Sequence, residues 1–454
     1  MINEIPDPRM EGKVVHKFSS IIFVALCGIL SNCESWSDIE DYCRIKKAWL
    51  EKYVDLSNGI PSEWTFRRVF VLLDPNYIEY LLRTNAAEIV SNGKSSDQTA
   101  IDGKGLRGSK RQDLKCLHSV SAWCHENGLV LAEQQVEEKT NEITAIPLLL
   151  ESLDLKSTTV SIDAAGCQKS ITKLIKDKKG DYVLGLKCNH RKLYKSVEAC
   201  IAAEGENNDN RLHDAFDKSR GRLIRRRYFG YNVSSLPEVA DWVGAKSVVA
   251  VETISSRNND PSRKVSAQWR YYLSSHESGN KSIPNYIRNH WGIENKLHWI
   301  LDIHLKEDDD QKSERKSARS FALLRRIALN IVRTKDTTPK RSVRRKLKRS
   351  GWDNEYLLTM LNFKYDIIIW SVRWYCKYGI SYRDLEEMLM ERGVEVDHST
   401  IYRWVQYYAP KILDKLKWYW KPKLGLGWRV DAPERRRSQR ILRLKVNGPI
   451  FIEL

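Results

Sequence analysis

Two apolar runs in this chain end alike: Thr99-Ala100-Ile101 runs into Asp102, and Val160-Ser161-Ile162 runs into Asp163. Each is short, rich in β-formers and followed by small residues, as expected of a strand that stops at an acid. Between them lie "HSVSAWCHENGLVLAEQQV", two strands about a turn at Glu126-Asn127-Gly128, and "NEITAIPLLLESLDL", a helix. After Asp163 come "CQKSITKLIKDKKG", a second helix, and "DYVLGLK", a further strand. Strand-strand, helix, strand, helix, strand predicts a mixed α/β sheet. An aspartate at the end of such a strand faces the crevice where open α/β sheets hold ligands.

The flanking segments differ in pattern. Residues 1–92 read as a helical domain. "SWSDIEDYCRIKKAWLEKY" places Ile39, Tyr42, Ile45 and Trp49 at helical spacing behind a Ser37 cap, and "GIPSEWTFRRVFVLL" opens another helix after Pro61. The apolar run Phe18 to Leu30 is too short to span a bilayer, and Glu4, Asp7 and Glu11 oppose a signal peptide, so a buried helix is expected. Residues 93–335 form the α/β unit; its less regular span at about 205–283, with strand-like "SVVAVETI" and "QWRYYLSS", is read as the sheet's last strand and an insertion. Residues 336–362 read as a basic linker, 363–424 as a second helical block, and 425–454 as a basic tail.

A formal net charge of +18 over 454 residues favours a polyanionic partner. The nine cysteines are scattered singly with no CxxC pair, which fits reduced thiols in a cytoplasmic protein.

The stretch "TAIDGKGLRGSK" leaves two chemistries open. Gly103, Gly105 and Gly108 spell G-x-G-x-x-G, but a dinucleotide site needs a helix there and an acid about twenty residues on. Instead the chain continues through a basic turn into another strand. Lys104, Arg107, Lys110 and Arg111 are better placed to hold DNA phosphates beside a metal. A pair of strand-end carboxylates suits Mg²⁺, which takes one or two carboxylates plus waters and phosphates.

A third acid, Glu294, lies in "NYIRNHWGIENKLHWILDIH", at the border of a stripe formed by Ile293, Leu297, Ile300 and Ile303. Trp291, His298 and Trp299 around it are bulky enough to close on a nucleic-acid strand. His290, His298 and His304 lack the spacing of a zinc helix. Asp102, Asp163 and Glu294, on strand, strand and late helix, have the order of a two-metal phosphoryl-transfer site. The acidic run in "EDDDQKSERKSA", after the glutamate helix, reads as solvated.

The motifs "IPDPRMEGKVVHKFSSIIFVALCGILSNCESWSDIEDY", "AIDGKGLRGS", "EKTNEITAIPLLL", "SIDAAGCQKSI" and "RNHWGIENKLHWILDI" resemble the ISAs1 family of insertion-sequence transposases, relatives of the H-repeat-associated proteins, over about residues 5–335. The resemblance implies an RNase H-like mixed sheet with flanking helices, an all-α domain before it, and Asp102, Asp163 and Glu294 as a DDE triad. It implies Mg²⁺, with Mn²⁺ able to substitute, and cutting and strand transfer on double-stranded DNA at the element's terminal repeats and its target, by a homo-oligomer without membrane involvement. The chain departs from the wider IS4-like pattern: His290 stands for an arginine and Leu301 for a lysine, and "LKCNH" for a Gly-Asn-Gln. On the same resemblance His290 and Trp291 join the DNA contacts.

Near the C-terminus, "SYRDLEEMLMERGVEVDHSTIYRWVQYYAPKI" reads as helix, turn, helix. Ser381 caps the first helix, Gly393 breaks it, and Asp397 or Ser399 caps the second. Arg383 on the first helix and His398, Ser399, Thr400, Tyr402 and Arg403 on the second would meet DNA as a recognition unit does. With "KWYWKPKLGLGWRVD", this block resembles the end-binding N-terminus of IS6-family transposases, cut short after Asp431. The chain then reads as a fusion of two elements' products. The alternatives are an inactive remnant that only binds DNA, or a metal-dependent nuclease of the same fold.

Overall fold

The computed structural model describes residues 5–416 apart from 11, 13, 92–96, 111–114, 137–139, 206–208, 220–221, 234–235, 258–265, 313, 337–340, 362–364, 392–393 and 395. Arg111, Gly393 and Asp431, singled out in the sequence, lie outside the described residues.

Four helices come first: α1 (Phe18–Leu30), α2 (Trp36–Leu50), α3 (Glu63–Leu72) and α4 (Pro75–Ser91). The apolar run is indeed a buried helix, with Ile21, Val24, Cys27 and Leu30 fully enclosed. Helix α2 starts earlier than Ser37 would set it. Ser35 is its cap, accepting from the Asp38 amide while Asp38 accepts from the Ser35 amide, a capping box. Ile45, expected on the buried face, is 80% exposed.

A nine-stranded sheet succeeds the helices. Its strands are β1 (Gln98–Leu106), β2 (Leu117–Cys124), β3 (Leu129–Val136), β4 (Thr159–Ile162), β5 (Asp181–Leu186), β6 (Arg211–Ser219), β7 (Arg222–Asn232), β8 (Ser247–Arg257) and β9 (Ser266–Ser274). The order across the sheet is β3-β2-β1-β4-β5-β9-β8-β7-β6. Strand β1 runs antiparallel to β2 and parallel to β4, and β4 runs parallel to β5. Helices α5 (Glu142–Glu151), α6 (Lys169–Asp177) and α7 (Arg191–Glu204) make the crossovers. The insertion supplies four strands where one last strand was expected: β8 and β9 fall on the two strand-like runs, β6 and β7 are additional, and β9 joins β5 antiparallel, so the sheet continues without a break.

Then come α8 (Ile283–His290), a π-helical turn (Ile293–His298), α9 (Trp299–His304) and α10 (Arg315–Thr334). Every residue of α10 from Ser317 to Val332 is buried, including Arg319, Arg325, Arg326 and Asn330. Asn330 serves the exposed edge of β3: its Nδ2 donates to the Val130 carbonyl (2.8 Å) and its Oδ1 accepts from the Val130 amide (2.9 Å).

Residues 336–362 are not a loose linker. Helices α11 (Val343–Trp352) and α12 (Asn354–Leu361) bury Leu347 and Leu357 in the same core as α1–α4, α10 and the sheet residues Ala100, Trp123 and Val130. The arginines and lysines that make the segment look linker-like leave Leu347 one apolar side on which to pack. Helices α13 (Tyr365–Tyr378), α14 (Tyr382–Met390) and α15 (His398–Leu416) form a separate small core around Leu385, Ile401 and Trp404. It meets the N-terminal helices through a 3.1 Å hydrogen bond between the Tyr53 and Tyr408 hydroxyls.

Candidate active site and basic groove

Strand β4 ends at Ile162, opposite Ile101, so the next residue of each parallel strand is an acid: Asp102 and Asp163 lie side by side where β4 leaves the sheet. Asp163 also caps its own turn, its Oδ1 accepting from the amides of Ala165 (2.9 Å) and Gly166 (3.4 Å). The "LKCNH" segment braces that turn. Asn189 Nδ2 donates to the Ala164 carbonyl at 2.9 Å, and His190 Nε2 lies 2.6 Å from the Cys167 carbonyl.

Glu294 approaches from the π-helical turn, exposed, between the fully buried Ile293 and Leu297. The apolar stripe differs from the sequence reading. Leu301 is fully buried whereas Ile303 is 50% exposed, because the extra residue in the π turn shifts the phase of the helix after it. Leu301, standing where a lysine was expected, is therefore a core residue.

Asp102 registers this company. Burial, then the charge of Asp163, and more weakly that of Glu294, push its carboxyl up to about 7 against the opposing Gly103 amide. Three acids far apart in the chain thus act on one another. Among the described residues, no three His, Cys, Asp or Glu side chains are gathered into a ready-made metal cage. The donor set nevertheless fits a hard divalent cation: carboxylates at strand ends, crowded enough that one of them holds its proton to neutral pH.

His298 and His290 are not strand-facing. His298 is 12% exposed, with Nδ1 3.5 Å from Asp102 Oδ2, and burial with Arg326 and Lys104 nearby lowers it to about 3. His290 sets Nδ1 3.1 Å from Ser161 Oγ, and burial lowers it to about 4. Trp291 and Trp299 are exposed.

The basic residues behind Asp102 divide. Lys104 points inward: its ammonium is paired with Asp302, with Glu307 (3.1 Å) and with Asp308 (3.6 Å). Arg107 is exposed and 3.5 Å from Asp308, and Lys110 is exposed. The acidic run is accordingly not simply solvated. Glu307 is fully buried between Lys104 and Arg326, and Arg326 also pairs with buried Glu133. Burial alone would raise Glu307, but Arg326 and Lys104 pull it down to about 2. Asp310 likewise holds Arg325 at 2.6 Å.

The glycines serve this packing. A β-carbon on Gly103 would collide with the Glu142 carboxylate, and one on Gly108 with the Asp310 carbonyl. The G-x-G-x-x-G spacing is a set of close approaches to protein groups.

Sequence reasoning missed a groove beside Glu294. A cavity of about 590 Å³ opens between β7–β9 and the end of α8, lined by Arg226, Arg270, Arg288 and Lys296 together with Tyr228, Tyr272 and Trp291. Among the described residues, no carboxylate lines it. The Arg270 guanidinium lies 5.1 Å from the Trp291 ring centroid, while Arg226 and Arg288 both pair with Asp217. Of the run Arg225-Arg226-Arg227 it is Arg226 that lines the groove; successive residues of a strand face opposite ways, and Arg225 and Arg227 pair with Asp214 and Glu252 instead.

On the C-terminal unit, Ser381 caps α14 and Asp397 caps α15, the latter accepting from the Ser399 (2.5 Å) and Thr400 (3.1 Å) amides. Ser399 is half-buried and does not cap. Arg383 and Tyr402 are exposed, Thr400 and Arg403 half-buried, and His398 Nδ1 is 2.8 Å from Glu386.

Residues 93–331 match the family described as "Transposase DDE domain", and residues 1–84 the companion family "DDE_Tnp_1-associated". The chain belongs to the DDE transposase family. Among curated relatives of this transposase, "Putative transposase YncI" of Escherichia coli O157:H7 is 37% identical over 372 residues, covering 79% of this chain and 93% of that one. "H repeat-associated putative transposase YhhI" of Escherichia coli strain K12 is 35% identical over 79% of this chain and 96% of that one. A stretch of 72 residues, 15% of this chain and 30% of the other, is 50% identical to the "Transposase for insertion sequence-like element IS431mec" of Staphylococcus aureus. The solved piggyBac transposase synaptic complex with hairpin DNA gives a TM-score of 0.36 at 11% identity, over 79% of this chain and 76% of that one, too distant to inform the fold. No helix among the described residues is long and apolar enough to cross a membrane.

Proposed function

We propose that the chain cuts and transfers DNA strands at the ends of an ISAs1-type insertion sequence, using an RNase H-like domain in which Asp102, Asp163 and Glu294 hold two Mg²⁺ ions. What carries the reading is the parallel register of β1 and β4, which sets Asp102 and Asp163 side by side at the strand ends, with the charges of Asp163, Glu294 and Glu142 all acting on the buried Asp102 carboxyl. Bound there, the ions would activate a water or 3′-hydroxyl and stabilise the leaving oxygen. The protein's own part is to hold the three carboxylates, brace the Asp163 turn through Asn189, and screen the site behind His290 and His298. The sheet order, with β1 flanked by antiparallel β2 and parallel β4, supports the RNase H-like assignment.

DNA would run past Arg107 and Lys110 and into the basic groove beside Trp291. Lys104, buried among carboxylates, falls outside that surface. Double-stranded terminal repeats and target DNA are the substrates proposed, and a homo-oligomer the working form.

The similarity of 72 residues to the IS431mec transposase supports a second reading, in which residues 363–424 are an IS6-like helix-turn-helix fused to the catalytic chain. The fused protein would then bind DNA through Arg383, His398, Ser399, Thr400, Tyr402 and Arg403, with or without residual catalysis. Strand-transfer assays on DNA carrying the flanking inverted repeats, with Mg²⁺ or Mn²⁺, separate the readings. Metal-dependent nicking and joining that Asp102→Asn abolishes supports the transposase. A mobility shift without nicks leaves the DNA-binding remnant, and nicking without joining leaves the nuclease.

A further inference from the structure

We propose that His298 is the positioning residue for Asp102, orienting that carboxylate toward the metal ions. The inference rests on the metal-binding reading above and deepens it.

Three observations carry it. First, Asp102 has no cation of its own among the described residues. The cation two residues along the same strand, Lys104, is engaged by Asp302, Glu307 and Asp308 instead. The side chain that does reach Asp102 is His298, with Nδ1 3.5 Å from Oδ2. That separation is a few tenths of an ångström longer than a hydrogen bond, as such contacts commonly are before ligands bind.

Second, His298 Nε2 is buried and has no hydrogen-bond partner among the described residues, so the ring's polar contact is the one Nδ1 makes toward Asp102.

Third, the ring cannot easily move. His298 shares the π-helical turn with Glu294, and Leu297 and Leu301 on either side of it in sequence are fully buried. Lys104, Glu307, Arg326 and His118 are the charged or titratable groups whose fields reach it.

The test is Mn²⁺ binding to the full chain without DNA, followed by electron paramagnetic resonance or calorimetry, for His298→Ala, His298→Gln and His298→Asn, with Asp102→Asn as reference. Asparagine places its amide nitrogen where Nδ1 stands, and glutamine places its own where Nε2 stands. The expectation is that Asn keeps the affinity within about threefold while Ala and Gln weaken it roughly 10–100-fold. Wild-type affinity in His298→Ala, or equal loss in Asn and Gln, overturns the proposal. If the alanine variant does not fold, the Asn–Gln comparison decides alone. Undiminished binding by Asp102→Asn instead brings down the metal-binding reading itself and this inference with it, whereas loss in Asp102→Asn with wild-type binding in His298→Ala sinks only the inference.

Discussion

Asp163 leaves β4 directly beside Asp102 on β1, and its charge, after burial, is the main force keeping a proton on its neighbour up to about pH 7. The folded value lies above the ordinary one near 3.8, so the native state binds the proton more tightly than the unfolded chain does. Stability from this group is present below about pH 4 and is lost as pH rises toward about 7. Metal-free Asp102→Asn should therefore melt higher than wild type at pH 8, the gap shrinking toward pH 4. Saturating Mg²⁺ should reverse the order at pH 8. Thermal melts with and without chelator check both.

The groove makes a separate prediction. Arg270→Ala, Arg288→Ala or Lys296→Ala should each weaken DNA binding and lower the salt dependence of affinity by about one phosphate's worth of slope. Trp291→Ala should cost about 1–3 kcal/mol on single-stranded DNA if bases stack there. Fluorescence anisotropy across a salt series reads all four, and unchanged slopes would remove the groove from the DNA path.

Lys104 separates a structural role from a phosphate contact. Lys104→Met should leave the salt slope of DNA binding unchanged and lower the stability, since Glu307 would lose one of its two cations in a fully buried setting. Glu133→Gln, which leaves Arg326 short of a partner, should cost about 3 kcal/mol on the scale of a broken buried pair. Denaturant titrations give both.

The segment after the family match also makes a claim. A chain ending at residue 361 retains α11 and α12 and should unfold cooperatively, whereas one ending at residue 335 exposes the core faces that Leu347 and Leu357 cover and should aggregate. Light scattering and circular dichroism distinguish them.

The parts of this molecule that could be read in advance were those with a local rule. Asp102 and Asp163 each stood at the end of a short β-rich run in matched context; that the two strands are neighbours came from their pairing. Phe18 to Leu30 was apolar on every side and became a helix buried on every side. The parts that escaped were decided at a distance. Nothing around Lys104 announces that Asp302, Glu307 and Asp308 will fold over it from the far end of the domain. Arg226 of β7 and Arg270 of β9 meet Trp291 only through the pairing of β9 with β5. The stripe on the glutamate helix was misjudged at Ile303 because a uniform 3.6-residue period cannot foresee a π turn.

That turn makes Glu294 unusually sensitive to the length of its own helix. Each residue of a regular α-helix advances the side chains by about 100° around the axis. Deleting one codon between Ile293 and His298 would keep the reading frame, yield a smoother helix, and swing the acid away from its two partners. Drift of the smallest in-frame kind could thus silence the element while leaving its protein folded.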